Sequence, residues 1–218
     1  MTLEYRAKKA DLLARCAAGE DHPLAASVSK FSISKIYEKP TEAGEPVHVQ
    51  LIRAGKSNVK KLMDTYSADE VVENMNYQKE QAFIRCDDAT RRTRRLIKMV
   101  AVVDMHSQRF SDNDRRFYKA IGRASKESEM VYPQLLAITV GINVPSYMNL
   151  IWPIAKRVIP AKTLAKFRIC SAKDTATQSA ILCPFAPALF QPSTLVEFLG
   201  GAGPSMEVLG PVDRPKAL

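Results

Sequence analysis

The sequence lacks the short motifs that mark the large classes of nucleotide-dependent and hydrolytic enzymes. It contains no Walker sequence, no GxGxxG and no GxSxG nucleophile motif. Its histidines lie far apart and share no metal-ligand spacing: His22, His48 and His106. We therefore expect no catalytic residues, no metal and no cofactor, and we predict that the protein is not an enzyme.

Cysteine is scarce, and long apolar runs are absent. None of the cysteines forms a CxxC pair: Cys16, Cys86, Cys170 and Cys183. Such spacing is typical of free thiols in a reducing compartment. No N-terminal run has the form of a signal peptide, and no stretch reaches the roughly 20 apolar residues of a membrane span. The expected location is the cytoplasm, with peripheral and transient membrane association.

Positive charge, in contrast, is in excess. The net charge of +9 over 218 residues indicates an anionic partner. The densest run is RRTRR, from Arg91 to Arg95. It is compatible with a solvated helix end, an anionic membrane surface or a nucleic-acid backbone. Because no aromatic residues interleave with the arginines, we expect an anionic membrane and no nucleic acid among the partners.

Hydrophobic patterning predicts an α/β domain. Alternating apolar residues on either side of KPTEAGEP indicate two antiparallel strands. The predicted helices are Leu3 to Ala18, Asn58 to Thr65, one from the capping box Ser67–Glu70 towards Arg92, one capped by Ser111, Ser146 to Val158, and Asp174 to Leu182. Further strands are predicted at Met99 to Met105, Leu135 to Ile142, and Phe167 to Cys170. Because strands and helices alternate from Met99 onward, we expect a largely parallel sheet.

Asp104 closes the apolar run MVAVVDM. A carboxylate directly after a buried strand is compatible with a catalytic acid. More often, an aspartate in this position caps a loop or a helix. We leave both interpretations open here.

The stretch from Tyr132 to Lys166 organises the rest of the chain. A buried strand is broken at Asn143 and Pro145 and leads into an amphipathic helix. Thr163 and Lys166 then follow, three residues apart, so that on a helical turn both would point the same way. This order favours a cavity with an apolar lid and a polar anchor for an anionic head group. The alternatives are an ordinary core helix and an ordinary lysine at a helix end.

The order of these features resembles the CRAL-TRIO lipid-binding domain, the family of phosphatidylinositol transfer proteins. The resemblance covers roughly Phe31 to Gly201. It consists of MVAVVDM, a helix, the Tyr132-Pro133 pair, LLAITVGIN, the lid helix, Thr163-x-x-Lys166, the strand FRIC and the closing LVEFLGG. Each motif is short, but their order and spacing together are fairly specific.

The resemblance implies a mixed, largely parallel sheet that floors a hydrophobic lipid pocket, with the helix Ser146 to Val158 as a gate. It implies head-group binding by Thr163 and Lys166. Gln134 stands where members usually carry a glutamate, and its amide can still hydrogen-bond an inositol hydroxyl. The implied pocket and gate residues are Met99, Ala101, Tyr132, Pro145, Tyr147, Met148, Ile151 and Trp152.

The sequence also departs from the family pattern. Met99 and Ala101 replace polar residues that serve phosphatidylcholine in the best-known members, which argues against choline-lipid exchange. The helical region that precedes the domain is reduced, and no match is found for the basic residue that it supplies to the phosphate. We expect an N-terminal helix and linker over residues 1–26, the lipid-binding domain over 27–203, and a tail over 204–218.

The expected function is to bind a phospholipid, most plausibly phosphatidylinositol, and to transfer or present it between membranes. The alternative is a protein-interaction module of the same fold without phospholipid exchange.

Overall fold

The structure is a computed structural model, and it describes residues 4, 7, 10–18, 20, 22, 24–28, 34–40, 46–171 and 202. Within this part the helices are α1 (Ala10–Ala17), α2 (Ala25–Val28), α3 (Val59–Thr65), α4 (Ala68–Thr93), α5 (Arg115–Val131), α6 (Met148–Val158) and α7 (Ala161–Leu164). The strands are β1 (Ser34–Pro40), β2 (Pro46–Arg53), β3 (Met99–Asp104), β4 (Leu136–Val144) and β5 (Phe167–Ser171). Two short 3-10 turns lie at Ala54–Lys56 and Phe110–Asp112.

These strands form one mixed sheet in the order β1-β2-β3-β4-β5. The first pair is antiparallel, as the alternation around KPTEAGEP predicts, and β2 to β5 run parallel. Val102 of β3 pairs with Val140 of β4 in the centre, and both are buried. Parallel strands need crossover connections, and the helices between them supply these. The largely parallel α/β sheet expected from the sequence is therefore confirmed.

Capping side chains lie at the beginnings of α3, α4 and α5. Ser67 and Glu70 form the predicted capping box at the start of α4. The predicted cap Ser111 is wrong: it lies inside the 3-10 turn that precedes α5. Asp114 caps α5 instead, because its Oδ1 accepts the Arg116 main-chain N–H at 2.7 Å. Hydrogen bonds from the Arg116 guanidinium, and to a lesser degree from its main-chain N–H, lower the pKa of the Asp114 carboxyl.

Two apolar clusters hold the helices in place. One joins α3, α4 and α5 through residues that are at most 7% exposed: Leu62, Met63, Val71, Val72, Ala120 and Ala124. The other joins α4 to the start of β3 and β4 through Ala82, Cys86, Met99, Val131, Tyr132 and Leu135. Burial of such side chains stabilises the fold by about 1.5–3 kcal/mol for each large residue. The second cluster fixes α4 above the sheet edge where the parallel strands begin.

The cysteines only partly follow the expectation of free thiols. Cys16 and Cys86 are free and buried. Burial raises the pKa of the Cys16 thiol to about 11, which makes it a poor nucleophile. Cys170, in β5, is disulfide-bonded, so the prediction of a free thiol is wrong there. Cysteine spacing alone does not reveal which residues the fold brings together.

Several predicted segments lie outside the described residues. They are the helix at Asp174 to Leu182, the closing motif LVEFLGG and the C-terminal tail. Of the predicted helix Leu3 to Ala18, α1 forms the part that the structure describes continuously. Across all described residues, no helix has the length and apolar character needed to cross a membrane.

Candidate functional site

A cavity of about 450 Å³ lies at the edge of the sheet where β3, β4 and β5 begin. Its floor is formed by the first residues of β3 and β4, and its walls come from α4, α5, α7 and the turns before β4 and β5. The lining residues are Lys79, Met99, Ser125, Ser128, Glu129, Tyr132, Pro133, Gln134, Leu135, Leu136, Lys162, Thr163, Ala165 and Lys166. Its volume is within the usual range for sites that bind small molecules, roughly 300–1,000 Å³.

The lining carries more positive than negative charge. Lys162 faces Glu129, with 3.9 Å between Nζ and Oε1, so these two charges largely offset each other. Lys79 and Lys166 remain. Lys79 donates from Nζ to the Ala124 carbonyl at 2.9 Å, and Lys166 donates to the Leu136 carbonyl at 2.5 Å. Each ammonium has three N–H donors, so each retains donors for an anion in the cavity.

Lys79 is the most perturbed of these cations. Burial lowers the pKa of its ammonium from 10.5 to about 8, while the nearby Glu127 acts in the opposite direction. A lysine in a poorly solvated place favours an anionic partner, because such a partner compensates for the water that the charge has lost. The cavity thus has a cation on its α4 wall and another, Lys166, next to β5.

The two residues predicted to bind the head group both line this cavity. Thr163 is on α7, and Lys166 follows two residues after the helix ends. The Lys166 main-chain N–H donates to the Thr163 carbonyl at 3.1 Å, which closes a tight turn between them. This turn brings a hydroxyl and an ammonium to the same wall, where both could donate to one phosphate.

Gln134 reaches the cavity through a strained turn. The Leu135 N–H donates to the Tyr132 carbonyl at 3.2 Å, with Pro133 second in the turn. Gln134 is third and has φ = +74°, a conformation that usually selects glycine. Its Oε1 accepts a hydrogen bond from Lys98 Nζ at 3.2 Å. The turn therefore holds the Gln134 side chain at the rim of the cavity at some cost in backbone strain.

Of the predicted pocket residues, Met99 and Tyr132 also line the cavity, whereas Ala101 does not. The Tyr132 hydroxyl donates to Glu80, and both residues are buried. This bond orients the ring towards Phe83, with 5.2 Å between the ring centroids. Ala101 is buried farther along β3, two residues from the cavity floor.

The predicted gate residues lie outside the cavity lining, on α6 and the turn before it. Met148 and Ile151 are buried, and Trp152 packs edge-on against Phe167 of β5, with 5.5 Å between centroids. Tyr147 packs at right angles against Phe110. Pro145 lies just before α6, and the Met148 N–H donates to its carbonyl. The apolar side of α6 therefore faces the protein, as an amphipathic lid requires.

Asp104 lies at the opposite end of β3 from the cavity. Its Oδ1 accepts hydrogen bonds from the His106 N–H at 2.9 Å and from Asn143 Nδ2 at 3.0 Å. Its Oδ2 lies 3.5 Å from Nε of Arg53. These contacts join the ends of β2, β3 and β4, and Asp104 is buried. The arrangement supports the loop-capping interpretation rather than a catalytic acid.

Lys79 is the cavity residue that the sequence analysis missed. On α4, Val72, Asn76, Lys79 and Cys86 follow each other at spacings of three, four or seven residues, so they share one helix face. The other three are buried. A lysine on an otherwise buried face is a signal that the sequence does carry. The sequence gives no such signal for the other polar wall residues. Three lie on a polar face of α5 and one lies on the short helix α7: Ser125, Ser128, Glu129 and Lys162.

The fold and the cavity define a class of protein. Residues 33–201 match the family model of the CRAL/TRIO domain. This match covers more than half of the chain, so the chain belongs to the CRAL/TRIO domain family, as its motifs suggested.

The chain is similar to individual members of this family. One is the phosphatidylinositol/phosphatidylcholine transfer protein SFH13 of Arabidopsis thaliana, 23% identical over 171 residues. This alignment covers 76% of the present chain and 25% of SFH13, so the chain spans a quarter of that relative's length. The crystal structure of Sfh5 superposes with a TM-score of 0.60 at 17% identity, over 87% of this chain and 62% of that one. At this sequence identity, the similarity to Sfh5 shows a shared fold.

Proposed function

We propose that the protein binds a phospholipid, most plausibly phosphatidylinositol, and transfers or presents it between membranes. The observation that carries this proposal is the meeting of Thr163, Lys166 and Gln134 around one cavity. They come from two segments of the chain, the turn before β4 and the turn before β5, and each offers a hydrogen-bond donor. Membership of the CRAL/TRIO family and the likeness to a named phosphatidylinositol/phosphatidylcholine transfer protein support lipid binding in general.

In this mechanism the phosphate lies between Lys166 and Lys79, with the Thr163 hydroxyl as a further donor. Charge-assisted hydrogen bonds to phosphate are roughly twice as strong as neutral ones. Gln134 at the rim is placed to bond an inositol hydroxyl. Lys79 supplies a basic residue to the phosphate from within the domain.

The acyl chains would lie in apolar surroundings beneath α6. Each buried methylene contributes about 0.8 kcal/mol, so the chains dominate affinity and the head-group cavity decides selectivity. Helix α6 acts as the gate and moves outward at a membrane, exposing Met148, Ile151 and Trp152. Pro153 lies inside α6 and cannot donate the helical hydrogen bond at its position, so the helix has a built-in weak point. No covalent step is involved.

The test is transfer of labelled phosphatidylinositol between vesicles by the wild type and by Lys166→Ala. We expect transfer to fall at least about ten-fold, since hydrogen bonds to charged groups contribute about 1.5–3 kcal/mol. The matched control is Lys61→Ala, which removes an exposed lysine of α3 away from the cavity and should transfer normally. Equal rates for the wild type and Lys166→Ala would contradict the head-group assignment.

A second arm separates lipid from free phosphate ligands. Inositol phosphate in solution presents the same head group without acyl chains. Weak binding of inositol phosphate together with tight binding of phosphatidylinositol vesicles supports a lipid ligand. A purified protein that carries no lipid by mass spectrometry and takes up none from vesicles would favour the protein-interaction alternative instead.

A further inference from the structure

We propose that the segment Arg91 to Lys98, at the end of α4 and before β3, docks the protein on an anionic lipid bilayer next to the cavity mouth. We call this segment the arginine turn. The proposal concerns attachment to a membrane surface, so it does not depend on which lipid the cavity holds.

The charges of the arginine turn are only partly compensated. Arg91 pairs with Asp87 at 2.8 Å and Arg92 with Asp88 at 2.9 Å, each one helical turn back. These two pairs are typical of an ordinary solvated helix end. No acidic residue occurs between positions 89 and 98. Arg94 is exposed and forms no ion pair with any residue that the structure describes. The turn therefore retains a local excess of positive charge.

An exposed apolar side chain, Leu96, lies among these basic residues. Leu96 is 69% exposed, although its neighbour Ile97 is buried at 6%. A solvated helix end gains nothing from an exposed leucine. The interface of an anionic bilayer accepts both groups, because the leucine enters the boundary of the acyl chains while the arginines contact phosphate. The combination of charge and apolar side chain thus favours a membrane over a purely polyanionic partner.

The backbone of the arginine turn also carries strain. Arg94 has φ = +55° in the left-handed region at the end of α4, where helices most often place glycine. An arginine there costs roughly 1–2 kcal/mol relative to the right-handed conformation. The chain keeps a charged side chain where glycine would be more stable, as is common at functional positions.

The position of the arginine turn connects it to the cavity. Lys98 bonds Gln134, a residue of the cavity rim, across 3.2 Å. Met130, at the end of α5, is 41% exposed beside Glu129 of the cavity wall. Because α4 and α5 end immediately before β3 and β4, Leu96 and Met130 lie at the same edge of the sheet. A bilayer that contacts the arginine turn would therefore face the polar cavity.

The experiment is co-sedimentation with vesicles of phosphatidylcholine, alone or mixed with phosphatidylserine. We expect the wild type to bind only the mixed vesicles and to be released at high salt. Arg94→Gly removes the cation and the strain together, and should weaken binding about five-fold while raising the melting temperature. Leu96→Ser should weaken binding about ten-fold.

Two comparisons make the result specific. Leu150→Ser alters a side chain on α6 that is also 69% exposed, at the other end of the sheet. Lys60→Gln removes an exposed cation of α3. Lys60→Gln should leave vesicle binding unchanged, and Leu150→Ser should weaken it less than Leu96→Ser does. Loss of binding in Leu150→Ser with retention in Leu96→Ser would overturn the proposal and place docking on α6. Binding to duplex DNA at a salt concentration that abolishes vesicle binding would overturn it in favour of a nucleic-acid surface.

The outcome is distinguishable from that of the lipid-transfer test. Vesicle attachment is measured without exchange of any lipid, and phosphatidylserine is the probe rather than the proposed cargo. Normal docking with absent phosphatidylinositol transfer would remove the proposed function and leave the arginine turn in place. Normal phosphatidylinositol transfer by a protein whose docking does not depend on Arg94 or Leu96 would remove the docking role of the arginine turn. It would leave the proposed lipid transfer in place.

Discussion

Lys166 donates a hydrogen bond from its ammonium to the main-chain oxygen of Leu136, with 2.5 Å between the two atoms. Leu136 is the first residue of β4, so a side chain that precedes β5 is anchored to the neighbouring strand. The bond holds the cation at the cavity wall before any ligand arrives. Such preorganisation reduces the conformational entropy lost on binding.

Lys79→Met should make the protein more stable and less able to bind an anionic head group. The charged ammonium is poorly solvated, and its folded pKa of about 8 lies below its ordinary 10.5. Below pH 8 both folded and unfolded chains carry this proton, and the charge destabilises the fold. The substitution should therefore raise the free energy of unfolding at pH 7 by about 1–2 kcal/mol. Denaturant titration measures this change.

The same lysine predicts a pH dependence. Between pH 8 and 10.5 the unfolded chain holds a proton that the folded chain lacks, so the contribution of Lys79 to stability rises with pH. Head-group affinity should change in the opposite sense and fall as pH rises through about 8. The difference between the wild type and Lys79→Met isolates both effects. Parallel pH profiles for the two proteins would contradict the assignment.

Gln134→Gly separates backbone strain from side-chain function. Glycine adopts φ = +74° without steric cost, so the free energy of unfolding should rise by about 1 kcal/mol. Loss of the amide would remove the hydrogen bond proposed between Gln134 and an inositol hydroxyl, and affinity for phosphatidylinositol vesicles should fall about five-fold. Thermal melting measures the change in stability, and vesicle titration measures the change in affinity. A variant with higher stability and unchanged affinity would show that the Gln134 side chain has no part in binding.

Asp104→Ala should destabilise the fold without a specific effect on lipid selectivity. It leaves the largely buried Arg53 guanidinium without this carboxylate, and the loss of one partner of a buried pair costs about 3–5 kcal/mol. Asp88→Ala is the control, because its ion pair with Arg92 is exposed and contributes at most about 1 kcal/mol. Equal small effects of the two substitutions on the denaturation midpoint would contradict the proposed structural role.

Trp152→Asp should abolish lipid exchange. Its indole packs on Phe167, and a carboxylate there would disfavour both the closed helix and its insertion into lipid. Asn149→Asp introduces the same charge at an exposed position of α6 and should exchange normally. Circular dichroism at the assay temperature confirms that both variants are folded. Exchange that persists in Trp152→Asp would remove α6 as the gate.

Local signals in the sequence determined the elements of this fold. The alternation around KPTEAGEP gave the antiparallel pair β1 and β2, the Ser67–Glu70 box gave the start of α4, and the apolar run from Met99 gave a central parallel strand. These elements could be predicted because the spacing of buried side chains in helices and strands involves residues close together in the chain. The order of motifs also indicated the family, and this resemblance singled out Thr163 and Lys166 as candidate head-group residues.

Contacts between distant segments were decided by the tertiary structure alone. Lys79 and Lys166 are 87 positions apart, and the packing of α4 against the end of α5 and the start of β3 and β4 helps to bring them to one cavity. The disulfide at Cys170 likewise depends on geometry that residue spacing does not encode. Sequence patterning specifies which face of an element is buried, whereas three-dimensional packing determines which buried faces meet. For this protein, that packing determines where the charge of the cavity lies.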